Sequence, residues 1–164
     1  MSRKVRIIFD TLQTPLGILF FVFSGEQLAE IRFENEVPPY PKGKAPEIFI
    51  RQLKNYFSGT LREFHQGIVF LHGSDFEQEV WLSLKDVPYG ETRTYKWLAE
   101  RIGNPKAVRA VGQALSRNPL PIVLPCHRII ESDGSLGGYS SGVERKRRLL
   151  DMEYYYVLGK GNGP

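Results

Sequence analysis

The spacing of apolar residues at the start of the chain predicts a small antiparallel sheet. Residues 5–11, 17–23 and 28–33 are rich in β-branched and aromatic side chains, which favour strands. The turn signals Thr14-Pro15 and Ser24-Gly25 separate these segments. Strands joined by such short turns pair with their sequence neighbours, so we expect a three-stranded antiparallel meander.

A connector and one helix complete this predicted N-terminal lobe. Residues 37–44 contain three prolines and a glycine, and we expect no regular structure there. Ile50, Leu53 and Phe57 recur at helical spacing, and Ser58-Gly59 ends the pattern. We therefore predict an α+β lobe over residues 1–73, with a structural role.

The rest of the chain, residues 74–164, is predicted to form a mainly helical lobe. Ser74 and Glu77 have the capping-box spacing, and the helix that they start carries Phe76 and Val80 on its apolar face. The fold class expected for the whole chain is therefore α+β.

Two short helices are expected in the middle of the second lobe. Thr94 can cap a helix over residues 95–101, and Gly103 can end it. Asn104-Pro105 then starts a second helix that runs to about Ser116. The pair fits a helix-turn-helix, whose second helix meets DNA, but it also fits an ordinary α-helical hairpin.

A last helix is predicted from Val143 to about Glu153. Ser141 and Glu144 have the spacing of a second capping box at its start. Residues 145–148 read Arg-Lys-Arg-Arg, which taken alone indicates a solvated helix face.

Composition narrows the class of protein. The 164 residues are 41% hydrophobic and 24% charged, as in globular proteins, and the net charge of +4 suits a polyanionic partner. A single cysteine excludes a disulfide framework within the chain and a cysteine-rich zinc module. The longest apolar run, residues 16–23, is too short to span a membrane, and no secretory signal is recognisable. We therefore expect an intracellular (cytoplasmic) protein with no membrane partner.

That cysteine, Cys126, is the strongest candidate for chemistry. It is followed by His127, and Pro119 and Pro121 precede it. A thiol beside a titratable ring is a plausible nucleophile. A buried, inert cysteine fits the pair equally well, because neighbouring side chains on an extended strand point to opposite faces.

Four motifs, one of which contains the cysteine, favour a reactive thiol over a buried, inert one. They are Arg109-Ala110-Val111-Gly112, Asn118-Pro119-Leu120-Pro121, Pro125-Cys126-His127-Arg128 and Gly137-Gly138-Tyr139-Ser140. Together, at these distances, they make residues 76–153 resemble the O6-alkylguanine-DNA alkyltransferases, also called methylated-DNA–protein-cysteine methyltransferases. The resemblance implies DNA repair by a suicide reaction: the sulfur of Cys126 takes the alkyl group from O6 of guanine, once per molecule. It also implies that a helix-turn-helix enters the minor groove and that the damaged base is flipped out of the duplex.

The resemblance assigns catalytic roles as well. His127 matches the histidine that takes the thiol proton through a bridging water, and Glu153 matches the carboxylate that holds this ring. Asn118 matches the asparagine that braces the reactive segment. Tyr95 matches a tyrosine that hydrogen-bonds to the departing base and presses on its 3′ phosphate.

Further residues are expected to contact DNA or the flipped base. Arg109 matches the arginine that fills the vacated place in the stack. The other expected DNA contacts are Tyr95, Ala110, Gly112, Arg117 and Arg128, the last of which also braces the reactive loop. The expected pocket residues are Pro121, Gly138, Tyr139, Ser140 and Ser141.

The resemblance implies double-stranded DNA with O6-alkylguanine as the partner, with O4-alkylthymine as a further candidate lesion. No cofactor and no metal are expected, since one displacement needs neither and the first lobe lacks the cysteines of zinc-binding relatives. We expect a monomer in solution, and cooperative binding on DNA stays open.

Three other functions remain in competition. An alkyltransferase-like protein that only flags lesions would lack the reactive cysteine, and Cys126 argues against it. A helix-turn-helix regulator would be expected to dimerise on palindromic sites, and no dimerisation helix is recognisable. A cysteine hydrolase would need an oxyanion hole and would turn over repeatedly.

Overall fold

The first three strands form one antiparallel sheet in the computed structural model, which describes residues 4–34 and 36–159. They are β1 (Ile7–Thr14), β2 (Gly17–Ser24) and β3 (Gln27–Phe33), in that order across the sheet. β1 ends three residues later than predicted, because the chain turns only at the two residues that follow Thr14. The sheet belongs to the first of two compact units, Met1–Leu71 and His72–Pro164.

Loops cover both outer strands of this sheet. In the connector, which contains no helix or strand longer than a single bridge, the Pro41 carbonyl accepts a hydrogen bond from the Phe9 N–H at 3.0 Å. The Gly43 N–H donates to the Phe9 carbonyl at 2.9 Å. Residues 67–69 pair with Leu28 on the opposite edge in the same way. Covered edges prevent strand pairing with another chain.

Helix α1 (Glu47–Phe57) supplies the other half of the core of this unit. Phe49, Leu53 and Tyr56 are fully buried, whereas Ile50, predicted on the same face, is only half-buried. The Phe49 ring meets the ring of Phe21 edge-on, with centroids 5.2 Å apart. The core of the unit is therefore aromatic contact between helix and sheet.

The second unit is mainly helical, and the predicted α+β class is confirmed. Its elements are α2 (Asp75–Ser83), β4 (Arg93–Thr94), α3 (Tyr95–Arg101), α4 (Val108–Ser116), β5 (Ile129–Ile130) and α5 (Val143–Val157). The capping box at the start of α2 is present, with both Ser74–Glu77 bonds at 3.1 Å. The Thr94 hydroxyl caps α3 as predicted, accepting from the Trp97 N–H at 3.0 Å.

Helix α4 starts later than predicted. It begins at Val108, because Asn104 and Pro105 lie in a turn closed by the bond from the Ala107 N–H to the Asn104 carbonyl. Ala114 is buried in α4, and its carbonyl accepts a hydrogen bond from the Trp81 indole at 2.8 Å. α4 packs against both α2 and α3, which leaves its other side open.

Helix α5 begins at Val143 as predicted, but it runs on to Val157 and its cap differs from the predicted one. The second capping box is wrong: Gly142 precedes the helix with φ of 104° and no side chain caps it. Leu149 and Glu153 are buried on the inner face, and Lys146, from the supposedly solvated basic run, is buried with them. No helix among the described residues is long and apolar enough to cross a membrane.

Candidate active site

The segment that leads to Cys126 is buried, and hydrogen bonds connect its start to its end. Cys126 starts a short 3₁₀ turn, and its N–H donates to the Leu124 carbonyl at 2.8 Å. The Asn118 amide donates to the same carbonyl at 2.9 Å and accepts from the Leu120 N–H at 3.0 Å. One side chain therefore holds both ends of the loop that leads to the thiol, which is the geometry that a brace requires.

The same loop contains a strained residue. Ile122 has φ of 77°, and it is the only described residue other than glycine with a positive φ. This conformation is costly for a β-branched residue, by about 1–3 kcal/mol, and persists only where the surrounding structure imposes it. Ile122 is buried, so the packing around it fixes the path of the chain into Cys126.

A two-stranded parallel pair brings Tyr95 to the reactive segment. Arg93 of β4 lies beside Ile129 of β5, and Thr94 beside Ile130. β5 directly follows the Cys126–Arg128 turn, and α3 directly follows β4. The first residue of α3, Tyr95, is thereby placed next to the cysteine, although 31 positions of sequence separate them.

A buried carboxylate links the histidine to the end of the chain. Glu153 Oε2 lies 2.7 Å from His127 Nε2, and both side chains are fully buried. Arg128 donates to both oxygens of Glu153, at 2.9 and 3.0 Å, and its third nitrogen donates to the Val87 carbonyl at 2.9 Å. The Gly90 N–H also donates to Glu153, at 3.2 Å. A network that engages both oxygens of Glu153 holds the ring of His127 through its Nε2 atom.

The charges of this network follow from its burial. Burial acts to raise the pKa of Glu153, but the charges and hydrogen bonds of His127 and Arg128 outweigh it and hold that pKa far below its usual range. Burial lowers the pKa of His127, and Glu153 offsets only part of this. An ionised Glu153 must accept from Nε2–H of a neutral His127, which leaves Nδ1 as the acceptor. No described residue hydrogen-bonds to Nδ1.

Cys126 is a protonated thiol at neutral pH in this setting. Burial raises its pKa, and the Asn118 amide and the positive charge of Lys146 lower it again only in part. Ordinary thiols are already mostly protonated at neutral pH. The site therefore combines a neutral thiol with a neutral imidazole, and a proton must leave sulfur for it to attack.

Lys146 is a site residue that sequence reasoning missed. Its ammonium, fully buried, donates to the carbonyls of Ile129 at 2.6 Å and Gly138 at 3.2 Å, and also to that of Leu136. Burial lowers its pKa to about 8. The ammonium thus connects α5 to β5 and to residues 136–138, which follow Cys126 in the chain. The signal that could have found it is its position three residues before Leu149 and seven before Glu153, on the buried face of α5.

A cavity of about 530 Å³ opens beside Cys126. Of the residues predicted for the substrate pocket, Gly138, Tyr139 and Ser140 line it, whereas Pro121 and Ser141 do not. Its wall is completed by Tyr95, Val108, Arg109, Gly112, Leu115, Ser116, Cys126 and Glu131. Such a volume lies in the range of small-molecule pockets. The hydroxyl of Tyr139, on the wall of the cavity, is buried and has no hydrogen-bond partner among the described residues.

Residues predicted to contact DNA fall into two groups. Arg109 and Ala110 are exposed on α4, and Arg117 is exposed at its end, where it pairs with Glu77 at 3.4 Å. Arg128 is a correction: its side chain is buried, its nitrogens donate to Glu153 and to the Val87 carbonyl, and its guanidinium lies over the ring of Tyr89. The geometry leaves it as a brace of the reactive loop, and it offers no surface to a phosphate.

The comparisons agree with this fold and site. A family model described as the DNA-binding domain of 6-O-methylguanine DNA methyltransferase matches residues 75–155. A methylated-DNA–protein-cysteine methyltransferase from Methanosarcina acetivorans is 52% identical over 88% of this chain and 97% of its own, and one from Methanosarcina barkeri is 41% identical over 88% and 96%. The crystal structure of Mycobacterium tuberculosis OGT in complex with DNA matches with a TM-score of 0.85 and 40% identity over 90% of this chain and 93% of that one. The chain therefore belongs to the methylated-DNA–protein-cysteine methyltransferases, which confirms the resemblance seen in the sequence.

Proposed function

We propose that the protein repairs DNA by taking the alkyl group of O6-alkylguanine onto the sulfur of Cys126, once per molecule. One observation carries this proposal: Cys126 lines a base-sized cavity and directly precedes a histidine held by a buried carboxylate. In a single displacement, sulfur bonds to the alkyl carbon while the bond from that carbon to O6 breaks. Guanine leaves with the electron pair of that bond and takes up a proton.

The thiol proton moves toward His127 in this proposal. Nδ1 is the free acceptor of the ring, because Nε2 is engaged by Glu153. A bridging water carries the proton between sulfur and Nδ1, as the family resemblance implies. The imidazolium that forms is stabilised by the ionised Glu153, which stays ionised because Arg128 also bonds to it.

The leaving base is held by groups on the cavity wall. Tyr95 and Tyr139 both line the cavity, and burial raises the pKa of each, so both remain hydrogen-bond donors at neutral pH. We assign Tyr95 to the departing base and its 3′ phosphate, and Tyr139 and Ser140 to the edge of the flipped guanine. Ser141 remains outside this set, because it does not line the cavity.

DNA approaches across α4 in this proposal. Arg109 and Ala110 are exposed there, and Gly112 lines the cavity that the flipped base must enter. A base inside a duplex cannot reach a buried thiol, so it must leave the stack, and Arg109 is placed to fill the space that it leaves. Arg117 contributes a positive charge that attracts a DNA phosphate. The Mycobacterium tuberculosis relative was crystallised with DNA, which supports the partner.

Single turnover follows from the product. The cysteine becomes a thioether, which is chemically stable, and none of the described residues that line the cavity with Cys126 is a group that cleaves thioethers. We also propose that residues 74–164 carry DNA binding and transfer, that the first lobe is structural, that the protein acts as an intracellular monomer, and that it needs no cofactor or metal.

The test is to incubate the protein with duplex DNA that contains radiolabelled O6-methylguanine and to count methyl groups per molecule. We expect one methyl group on the wild type and none on Cys126→Ser, which should still bind the DNA. Ser132→Ala, an exposed change in the following turn, is the matched control and should take up one methyl group.

Each competing function gives a different count. Methyl release beyond one per molecule indicates a hydrolase and contradicts the suicide reaction. Lesion binding without any transfer by the wild type indicates a protein that only flags damage. A methyl group on Cys126→Ser means that another atom is the acceptor.

A further inference from the structure

Glu131 places a negative charge on the wall of the reactive cavity. It follows β5 directly, and it lines the same space as Cys126 and Tyr95. Among the described residues of that wall, Glu131 is the one carboxylic acid and Arg109 the one basic residue. Neither the proton transfer nor the base contacts described above use this carboxylate.

The backbone holds Glu131 in place. Its N–H donates to the Ser135 carbonyl at 2.9 Å, and its carbonyl accepts from the Gly134 N–H at 3.0 Å. These two bonds close a tight turn immediately after β5. The carboxylate therefore projects from a fixed point on the wall.

Glu131 is exposed as a whole residue, but its carboxylate lies close to Gly137 and Tyr95. A Cβ on Gly137 would lie 3.2 Å from Glu131 Oε1 and 2.9 Å from the Tyr95 hydroxyl, so a side chain there would displace one or both of these groups. No described residue donates a hydrogen bond to the Glu131 carboxylate or forms an ion pair with it within 4 Å. Its negative charge acts on Tyr95, whose pKa it helps to raise.

We propose that Glu131 selects substrates by the charge of the group on O6, slowing the transfer of anionic groups relative to neutral and cationic ones. This inference rests on the proposed function. In that reaction the group on O6 must reach the sulfur of Cys126, and the cavity that contains the sulfur also contains the carboxylate. An anionic group on O6 therefore shares the cavity with a like charge.

Two cations moderate the effect. Lys146 is engaged by three carbonyls and lies within electrostatic range of Glu131. Arg109 lies on the same wall, but in the proposed complex it moves into the DNA stack. Two unit charges at this range, partly screened by solvent, change a rate by about three- to tenfold.

The test compares single-turnover rates on duplexes that carry one of three lesions. O6-carboxymethylguanine is anionic, O6-carbamoylmethylguanine is neutral and of the same size, and O6-(2-aminoethyl)guanine is cationic. For Glu131→Gln we expect the carboxymethyl-to-carbamoylmethyl rate ratio to rise by about three- to tenfold over wild type. The aminoethyl-to-carbamoylmethyl ratio should fall. Ratios within one variant cancel any general change in DNA affinity.

Glu79→Gln is the matched control, because Glu79 is exposed on α2 and does not line the cavity. It removes the same charge and should leave both ratios at their wild-type values. Ratios that do not change in Glu131→Gln, or that change equally in Glu79→Gln, overturn the inference. Failure of the wild type to accept methyl from O6-methylguanine would overturn the proposed function itself, and the inference with it.

Discussion

Replacing Lys146 with methionine removes an ammonium that has two roles: it binds three backbone carbonyls, and it lowers the pKa of Cys126. Methionine keeps a long unbranched side chain, so the packing of α5 is largely retained. The ammonium that binds the carbonyls of Ile129, Leu136 and Gly138 is lost. The segment beside Cys126 loses its anchor, and Cys126 loses a positive neighbour.

The magnitude follows from opposing contributions. Each carbonyl left without a donor costs about 1–3 kcal/mol, and three are affected. Removing a buried charge returns part of this, since the burial that lowers the pKa of Lys146 to about 8 is itself unfavourable. We expect a net loss of about 2–4 kcal/mol, which for a chain of this length lowers Tm by about 4–16 °C. The transfer rate should fall by about 10- to 100-fold, roughly 1.4–2.8 kcal/mol in the barrier.

The assay is thermal unfolding together with single-turnover methyl transfer across a pH series. Because the positive charge of Lys146 lowers the pKa of Cys126, Lys146→Met should shift the rising limb of the pH–rate curve upward. Arg147→Met, in the exposed part of the same helix, is the control and should change Tm and rate little. A Lys146→Met protein with wild-type Tm, rate and pH profile would show that the buried ammonium contributes nothing to the site.

The remaining predictions concern the buried network and α4. Glu153→Gln leaves the Arg128 charge unpaired in the interior and should cost about 3–5 kcal/mol in unfolding free energy, measured by denaturant titration; an unchanged midpoint would contradict the network. The pKa values of His127 and Glu153 in the folded protein lie below those in the unfolded chain, so the unfolded state binds more protons as the pH falls. The free energy of unfolding should therefore decrease from about pH 6.5 to pH 4, and the decrease should be smaller in His127→Gln. Calorimetry at several pH values checks this, and equal slopes in both proteins would refute it. Arg109→Ala should slow repair of duplex DNA by about 10- to 100-fold and reaction with free O6-benzylguanine far less; equal slowing would exclude a role in base flipping.

Features set by local contacts were predictable from the sequence. The capping box at Ser74 and the Thr94 cap depend on bonds between residues three apart, and both are present. The start of α4 was predicted wrongly, because Asn104-Pro105 can begin a helix or close a turn, and packing selects the turn. Only the tertiary structure decides between two such local solutions.

The chemistry of the site was harder to read where it depends on which way a side chain points. A basic run suggests a solvated face, but one of its members, Lys146, lies on the line of buried positions along α5. Arg128 belongs to the reactive motif and was expected to contact DNA as well, yet its guanidinium faces Glu153. No sequence pattern pointed to Glu131, because its place on the cavity wall depends on the turn that follows β5.

The burial of Cys126 has a consequence for the lifetime of the unreacted protein. Peroxide and disulfides attack the thiolate form of an accessible cysteine. Burial leaves Cys126 only 7% exposed and raises its pKa, so the resting thiol is shielded on both counts. Under the proposed single-use reaction this inertness matters, because oxidation of the thiol would inactivate molecules that had not yet accepted an alkyl group. In that reaction, the burial that makes a base necessary also protects the unreacted molecules from oxidants.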